Sequence, residues 1–294
     1  MKVAIYGQSY RNNSGKYVKL LINTLLENGV ELIIEQDFYT IIKEEVGLPE
    51  ELATFSASDK VDPSFDLLFS VGGDGTLLRT ITYVRNSGLP IIGINTGRLG
   101  FLATIQKDKI EESITDLVNG NYKIVERSLL KLSASPAIDD FDVLDFALNE
   151  IVVSRKNTTS MITVETYLND EYLTNYWADG LIVATPTGST GYSLSCAGPV
   201  IAPNAKSFVL TPIAPHNLNA RPLVIPDNTE IRLRVSGRED TYLVSLDSRI
   251  ATVPNNTDLI ISRAPFNINL IELADQSFLK TLRNKLLWGE DKRN

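Results

Sequence analysis

Three short segments of the 294-residue chain combine residue types that chemistry on a polar ligand needs. The first is Gly72-Gly73-Asp74-Gly75-Thr76, set after an apolar run and before a helix-period segment. Its glycines leave the backbone bare and free to take φ > 0, so a phosphate or ribose can come close. A helix N-terminus behind them aims N–H groups and a positive dipole end at an anion. Among those glycines a carboxylate, Asp74, suits proton acceptance or metal binding. The plain alternative is a tight strand-to-helix turn with an aspartate cap. The second segment, Thr185-Pro186-Thr187-Gly188-Ser189-Thr190-Gly191-Tyr192-Ser193-Leu194-Ser195, holds six aliphatic hydroxyls and one phenol ring. It offers hydroxyls and amides to polar ligand edges and Tyr192 as a stacking face. Asp179 adds a carboxylate just upstream. The third is Asn149-Glu150 inside an apolar β-run, where strand neighbours face opposite ways unless a bulge turns both outward.

Other chemistries are missing. Lone His216 and lone Cys196 rule out multi-histidine or Cys-rich metal centres and a disulfide framework. There is no G-x-x-x-x-G-K-[ST] and no G-x-G-x-x-G, so neither a P-loop nor a hydride-transfer fingerprint is present. The formal net charge of −8 argues against a general nucleic-acid or anionic-membrane binder. No apolar stretch approaches the ~18 residues of a membrane span, and residues 3–6 are too short for a signal-peptide core, so a cytoplasmic protein is expected.

Positioning these segments needs two kinds of element. Through residue 122, strand runs (3–6, 31–35, 66–71, 90–94) alternate with helical periods (14–28, 38–46, 77–85, 109–118), with 49–60 read as a loop. That pattern predicts βαβ units and a parallel sheet covered on both faces. From 123 to 272, β-rich runs follow one another (131–133, 147–153, 162–168, 181–184, 208–211, 230–235, 242–246, 259–263). They predict an all-β, sandwich-like domain. Residues 278–288 return to helical spacing, and their apolar stripe predicts that the 273–294 segment packs back on the first domain.

In order along nearly the whole chain stand G-G-D-G-T at 72–76, N-T-G-R-L-G-F-L at 95–102 and N-E at 149–150. D-G-L-I-V-A-T-P-T-G-S-T-G-Y-S-L-S at 179–195, P-H-N-L-N-A-R-P-L at 215–223 and D-S-R at 247–249 follow. This series resembles the NAD kinase family; the long segment ending at Ser195 is its most specific part. The resemblance implies a Rossmann-like α/β domain and transfer of a phosphoryl group from ATP, carried with a divalent cation such as Mg²⁺, to the 2′-hydroxyl of the adenosine ribose of NAD, giving NADP. It implies Asp74 as general base or hydroxyl-positioning carboxylate, with Gly75 beside it. Asn149, Glu150, Thr187, Thr190, Gly191, Tyr192 and Ser195 would surround adenine and ribose, with Ser193 and Leu194 in the same segment. Asp179 would hold the nicotinamide end, Arg79 would reach a phosphate and Arg249 would touch the nucleotide. Trp177 and Arg249 stand where some members carry other residues, which bears on NAD versus NADH. A homodimer or homotetramer formed through the β-rich domain is also implied. Two other readings use the same residues. A diacylglycerol- or sphingosine-type lipid kinase shares G-G-D-G-T but wants a membrane-binding surface, and no basic amphipathic helix is evident. A non-enzymatic dinucleotide sensor would tolerate replacement of Asp74.

Overall fold

Continuous apolar runs are what parallel strands require when helices cover both faces, and alternating runs are what half-solvated antiparallel strands require. Both patterns are realised in the computed structural model, which describes residues 1–8, 15–48, 52–56, 61–97, 99–157 and 160–287. The chain runs β1 (Lys2–Gly7), α1 (Gly15–Glu27), β2 (Glu31–Glu35), α2 (Gln36–Val46), β3 (Ala53–Phe55), β4 (Leu67–Gly72), α3 (Asp74–Val84), β5 (Ile91–Asn95), β6 (Ile105–Gln106) and α4 (Ile110–Val118). It continues with β7 (Tyr122–Ser135), β8 (Phe146–Ala147), β9 (Glu150–Ser154), β10 (Ile162–Leu168), β11 (Glu171–Ala178), β12 (Gly180–Ala184) and α5 (Tyr192–Ser195). The remainder is β13 (Ser207–Ile213), β14 (Leu223–Pro226), β15 (Ile231–Ser236), β16 (Thr241–Leu246), β17 (Arg249–Pro254), β18 (Asp258–Leu273) and α6 (Phe278–Leu286). Two compact units result, Met1–Glu126 with Ile268–Asn294, and Arg127–Asn267.

In the first unit the sheet order is β3-β2-β1-β4-β5, all parallel, and β5 also pairs with β6 and, at Ile91, with Leu270 of β18. Every residue of β4 and β5 is buried. α1 turns Val18, Leu21, Ile22 and Leu25 inward, the spacing of one helix face. α2 is capped by Glu35, whose side chain accepts the Phe38 N–H at 2.8 Å. Ser14 and Trp288, expected at helix ends, lie outside the described residues.

The second unit holds two antiparallel sheets. One runs β14-β13-β12-β9-β16-β17 and the other β11-β10-β15-β18. Alternate residues of both, among them Val153, Val183, Phe208 and Val244 from the first and Val164, Leu233 and Ile261 from the second, share one core. That is the expected sandwich. On the other face of β12, Ile182 and Ala184 pack with Val152, Val209 and the partly buried Cys196, so Cys196 serves as a small packing residue.

Three local expectations are corrected. The helix expected from residue 77 begins at Asp74, because Gly73 takes the cap position and its carbonyl accepts Thr76 N–H (3.0 Å) and Leu77 N–H (3.2 Å). The expected strand over 147–153 is broken into β8 and β9, leaving Leu148 and Asn149 between them. A short strand, β3, stands within 49–60; of that stretch only 52–56 is described.

α6 belongs to the first unit, where Lys285 Nζ donates to Leu99 O at 2.9 Å, Lys109 bridges Asp275 at 3.1 Å, and Leu282 is buried. Burying one leucine is worth roughly 2 kcal/mol. Truncation after Leu273 is therefore expected to lower the melting temperature by about 4–8 °C, at ~2–4 °C per kcal/mol. Differential scanning calorimetry checks it, and an unchanged transition would show that α6 adds nothing to the unit.

Candidate functional site

In the first unit β4 delivers the chain to α3 through a turn only glycine tolerates. Gly72 has φ +154°, and a Cβ there would stand 2.2 Å from Thr76 Oγ1. Gly73 and Gly75 have no non-adjacent atom of the described residues within 4 Å of where a side chain would begin, so the helix N-terminus is open among them. Asp74, in the first helical turn, does not face that opening alone. Its Oδ2 accepts the N–H of Phe101 (2.8 Å), and its Oδ1 accepts those of Leu102 and Ala103 (3.0 Å each). A carboxylate has about four acceptor sites, so roughly one remains, on Oδ2. The grip needs Gly100: a Cβ there would fall 1.9 Å from Asp74 Oδ1. Arg79, one turn along α3, is exposed, and its positive charge reaches the Tyr6–Tyr83 ring pair, whose centroids lie 4.7 Å apart. Arg98 of the 95–102 motif lies outside the described residues.

In the second unit the break between β8 and β9 is held by another aspartate. Asp247 Oδ2 accepts Leu148 N–H (2.9 Å), and Oδ1 accepts Asn149 N–H (2.8 Å) and Glu150 N–H (3.2 Å). Because Asn149 precedes the strand, its side chain and that of Glu150 do not face opposite ways. Both lie beside Gly191, where a Cβ would meet Glu150 Oε2 at 2.9 Å and Asn149 Nδ2 at 3.4 Å. Asn149 Oδ1 and Glu150 Oε2 are buried with no hydrogen-bond partner among the described residues. Such atoms in a native structure mark a place completed by a ligand or water. Burial pushes the Glu150 carboxyl up to about 8, and the adjacent Asp247 charge adds to the rise, against the N–H of Tyr192.

The hydroxyl-rich segment is folded as a pair of helical turns rather than as an open loop. Most of its hydroxyls build the segment itself. Thr185 Oγ1 donates to Leu148 O (2.6 Å), Ser189 Oγ to Pro186 O (2.6 Å) and Thr190 Oγ1 to Thr187 O (3.1 Å). Ser193, expected at the ligand, is buried and shares a 2.8 Å hydrogen bond with Thr211 Oγ1. Tyr192 and Ser195 are exposed, Leu194 is half-buried, and Thr187 is buried. Gly188 and Gly191 permit the close turn: a Cβ on Gly188 would stand 2.0 Å from Asn149 O.

Flanking residues divide by task. Asp179 pairs with Arg155 at 2.9 Å. Trp177 is exposed, and the His216 ring lies against it with centroids 4.3 Å apart. Arg249, expected at the nucleotide, instead donates its guanidinium to Leu144 O and Phe146 O, and burial lowers its affinity for the proton. Its fork is committed to the backbone just before β8 and at its first residue. Among the described residues no three His, Cys, Asp or Glu side chains group to hold a metal ion. Sequence reasoning missed Asp247 and Gly100; the only signal for either was its place inside a short motif.

Comparison with known proteins adds a consistent set of matches. The model described as ATP-NAD kinase N-terminal domain matches residues 3–122, and the ATP-NAD kinase C-terminal domain matches 148–273. An NAD kinase of Flavobacterium psychrophilum is 58% identical over 294 residues, covering 100% of both chains. One from Bacteroides fragilis is 40% identical over 295 residues, again with 100% of both covered. An Archaeoglobus fulgidus NAD kinase solved in complex with ATP superposes with a TM-score of 0.72 at 28% identity, over 97% of each chain. The yeast NADH kinase solved with NADH shares the fold, with a TM-score of 0.84 at 21% identity over 99% of this chain and 88% of its own.

The Gly100 vacancy yields a direct expectation. Gly100→Ala pushes the Asp74 carboxylate off its three amides, and a misplacement near 1 Å costs about 10²-fold in rate. Phosphoryl-transfer turnover should fall by about that factor while the protein stays folded by circular dichroism. Undiminished turnover would show that the grip on Asp74 does not matter.

Proposed function

The chain belongs to the NAD kinase family, and we propose that Asp74 is the carboxylate that orients the acceptor hydroxyl and takes its proton. As an NAD kinase it transfers a phosphoryl group from ATP to the 2′-hydroxyl of the adenosine ribose of NAD, giving NADP. Family models matching in both halves of the chain set aside the lipid-kinase and sensor readings. The observation that carries Asp74's role is its remaining acceptor site. Three backbone amides fix the carboxylate yet leave one lone pair on Oδ2 for an alcohol O–H. An alcohol is a poor nucleophile, and a held carboxylate assists by typically 10²–10⁴-fold.

The remaining parts follow from charge. In an acidic chain, the open N-terminus of α3 and Arg79, unpaired among the described residues, suit the triphosphate. A divalent cation bound with ATP would supply charge neutralisation during transfer, and the triphosphate oxygens would hold it, because Asp74's one remaining acceptor site goes to the hydroxyl. In the second unit, Asn149, Glu150, Thr187, Thr190, Gly191, Tyr192 and Ser195 surround adenine and ribose, and Asp179, braced by Arg155, takes the nicotinamide end. The unpartnered Asn149 and Glu150 oxygens support this, since ribose and adenine offer the missing partners. Ser193 and Arg249 act instead as scaffold.

Incubation with ATP, Mg²⁺ and NAD is expected to give NADP, and Asp74→Asn to cut kcat by roughly 10²–10⁴-fold. The asparagine amide also turns N–H toward an N–H of the 101–103 segment, so hydrogen exchange there should quicken. A near-normal kcat would remove Asp74 from the chemistry.

Association through the β-rich unit into a homodimer or homotetramer is consistent with its exposed Tyr172, Trp177 and Leu218. Light scattering is expected to give two or four chains, and a fully active monomer would refute it.

A further inference from the structure

The Asp247 carboxylate does for Asn149 and Glu150 what no neighbouring side chain does. It accepts three consecutive N–H groups, at 2.8–3.2 Å, from a segment about one hundred residues earlier in the chain. Asp247 itself sits in the tight turn between β16 and β17 with φ +52°, a conformation aspartate and asparagine adopt more readily than other side-chain-bearing residues. We propose that Asp247 is a positioning residue for dinucleotide binding: by fixing the backbone of 148–150 it aims the Asn149 and Glu150 side chains at the place beside Gly191. This rests on the reading of Asn149 and Glu150 as dinucleotide contacts.

The geometry leaves little alternative. Leu148 and Asn149 fall in the break between β8 and β9, so their N–H groups have no strand ladder there. Buried amides without partners are costly, and one carboxylate satisfies the whole row. Arg249, two residues on, holds Leu144 O and Phe146 O, so the turn grips both the donors and the acceptors of 144–150. Asp247 also places a negative charge beside Glu150, favouring its protonated form. The other charged or titratable groups there are Arg249 on β17, which acts on Asp247, and Tyr192 on α5, which senses Glu150, Asp179 and Cys196.

Asp247→Asn keeps a residue suited to the turn but sets an amide NH₂ against backbone N–H groups. Losing charged hydrogen bonds of this kind is expected to weaken NAD binding about 10–100-fold. The KM for ATP should stay within about twofold and kcat at saturating NAD within about threefold. NAD affinity measured by calorimetry across pH 6–9 provides a readout that a scaffold role would not move. Its midpoint, near 8 if Glu150 titrates there, should shift to lower pH once the Asp247 charge is gone. A lowered melting temperature with unchanged NAD affinity and midpoint would overturn the proposal. So would rapid amide exchange at 148–150 in the unaltered protein, a measurement that needs no variant to fold. Asn149→Ala separates the layers. If it weakens NAD while Asp247→Asn does not, the positioning role falls and the contact reading stands; if Asn149→Ala leaves NAD affinity unchanged, the contact reading falls and the proposal with it.

Discussion

A row of backbone N–H groups at a bend in the chain must find acceptors, and this protein meets that demand twice with a single aspartate. Asp74 takes the N–H groups of 101–103, and Asp247 those of 148–150. In each case three bonds to one carboxylate turn an irregular segment into a fixed one without adding any secondary structure. The consequence differs between the units. On the reading proposed above, Asp74 is itself the group with chemistry to do, so its bonds orient the reacting side chain. On the proposal made for it, Asp247 remains behind the site, and its bonds orient other side chains.

Charge explains why backbone groups carry so much of the load. The protein is acidic overall yet handles two phosphate-bearing substrates. On the proposed reading, a cationic surface is replaced by an open helix end at Gly73 and Gly75, by the exposed Arg79, and by a divalent cation that would come with ATP. Those features act over a few ångströms and leave the rest of the surface free to repel nonspecific anions.

The layering of the fold was legible because apolar periodicity states burial directly. Unbroken runs such as 67–71 became fully buried β4, and alternating 231–235 became the half-exposed β15. The site was legible in composition but less so in geometry. Asn149 and Glu150 stood out as polar residues in an apolar run, yet their shared direction depends on a strand break that the run does not reveal. The hydroxyls of 185–195 looked like ligand groups; Ser193 and Ser189 are buried because their partners, Thr211 Oγ1 and Ile201 N, come from later in the chain. Arg249 looked like an anion contact for the same reason, since its carbonyl acceptors lie about one hundred positions away. Local pattern reports burial well and reports long-range hydrogen bonding hardly at all.

The first unit is discontinuous, Met1–Glu126 with Ile268–Asn294, whereas the second is continuous. On the ribosome this inverts the order of completion. The unit whose residues emerge first lacks the end of β18 and α6 until the entire intervening unit has been made, roughly 7–30 s at usual elongation rates. During that interval Ile91, which pairs with Leu270, waits without its partner at one side of a strand that is buried throughout. A nascent chain with such an open edge is a natural client for holding chaperones. The continuous β-rich unit, although encoded later, is the one able to reach its final form first.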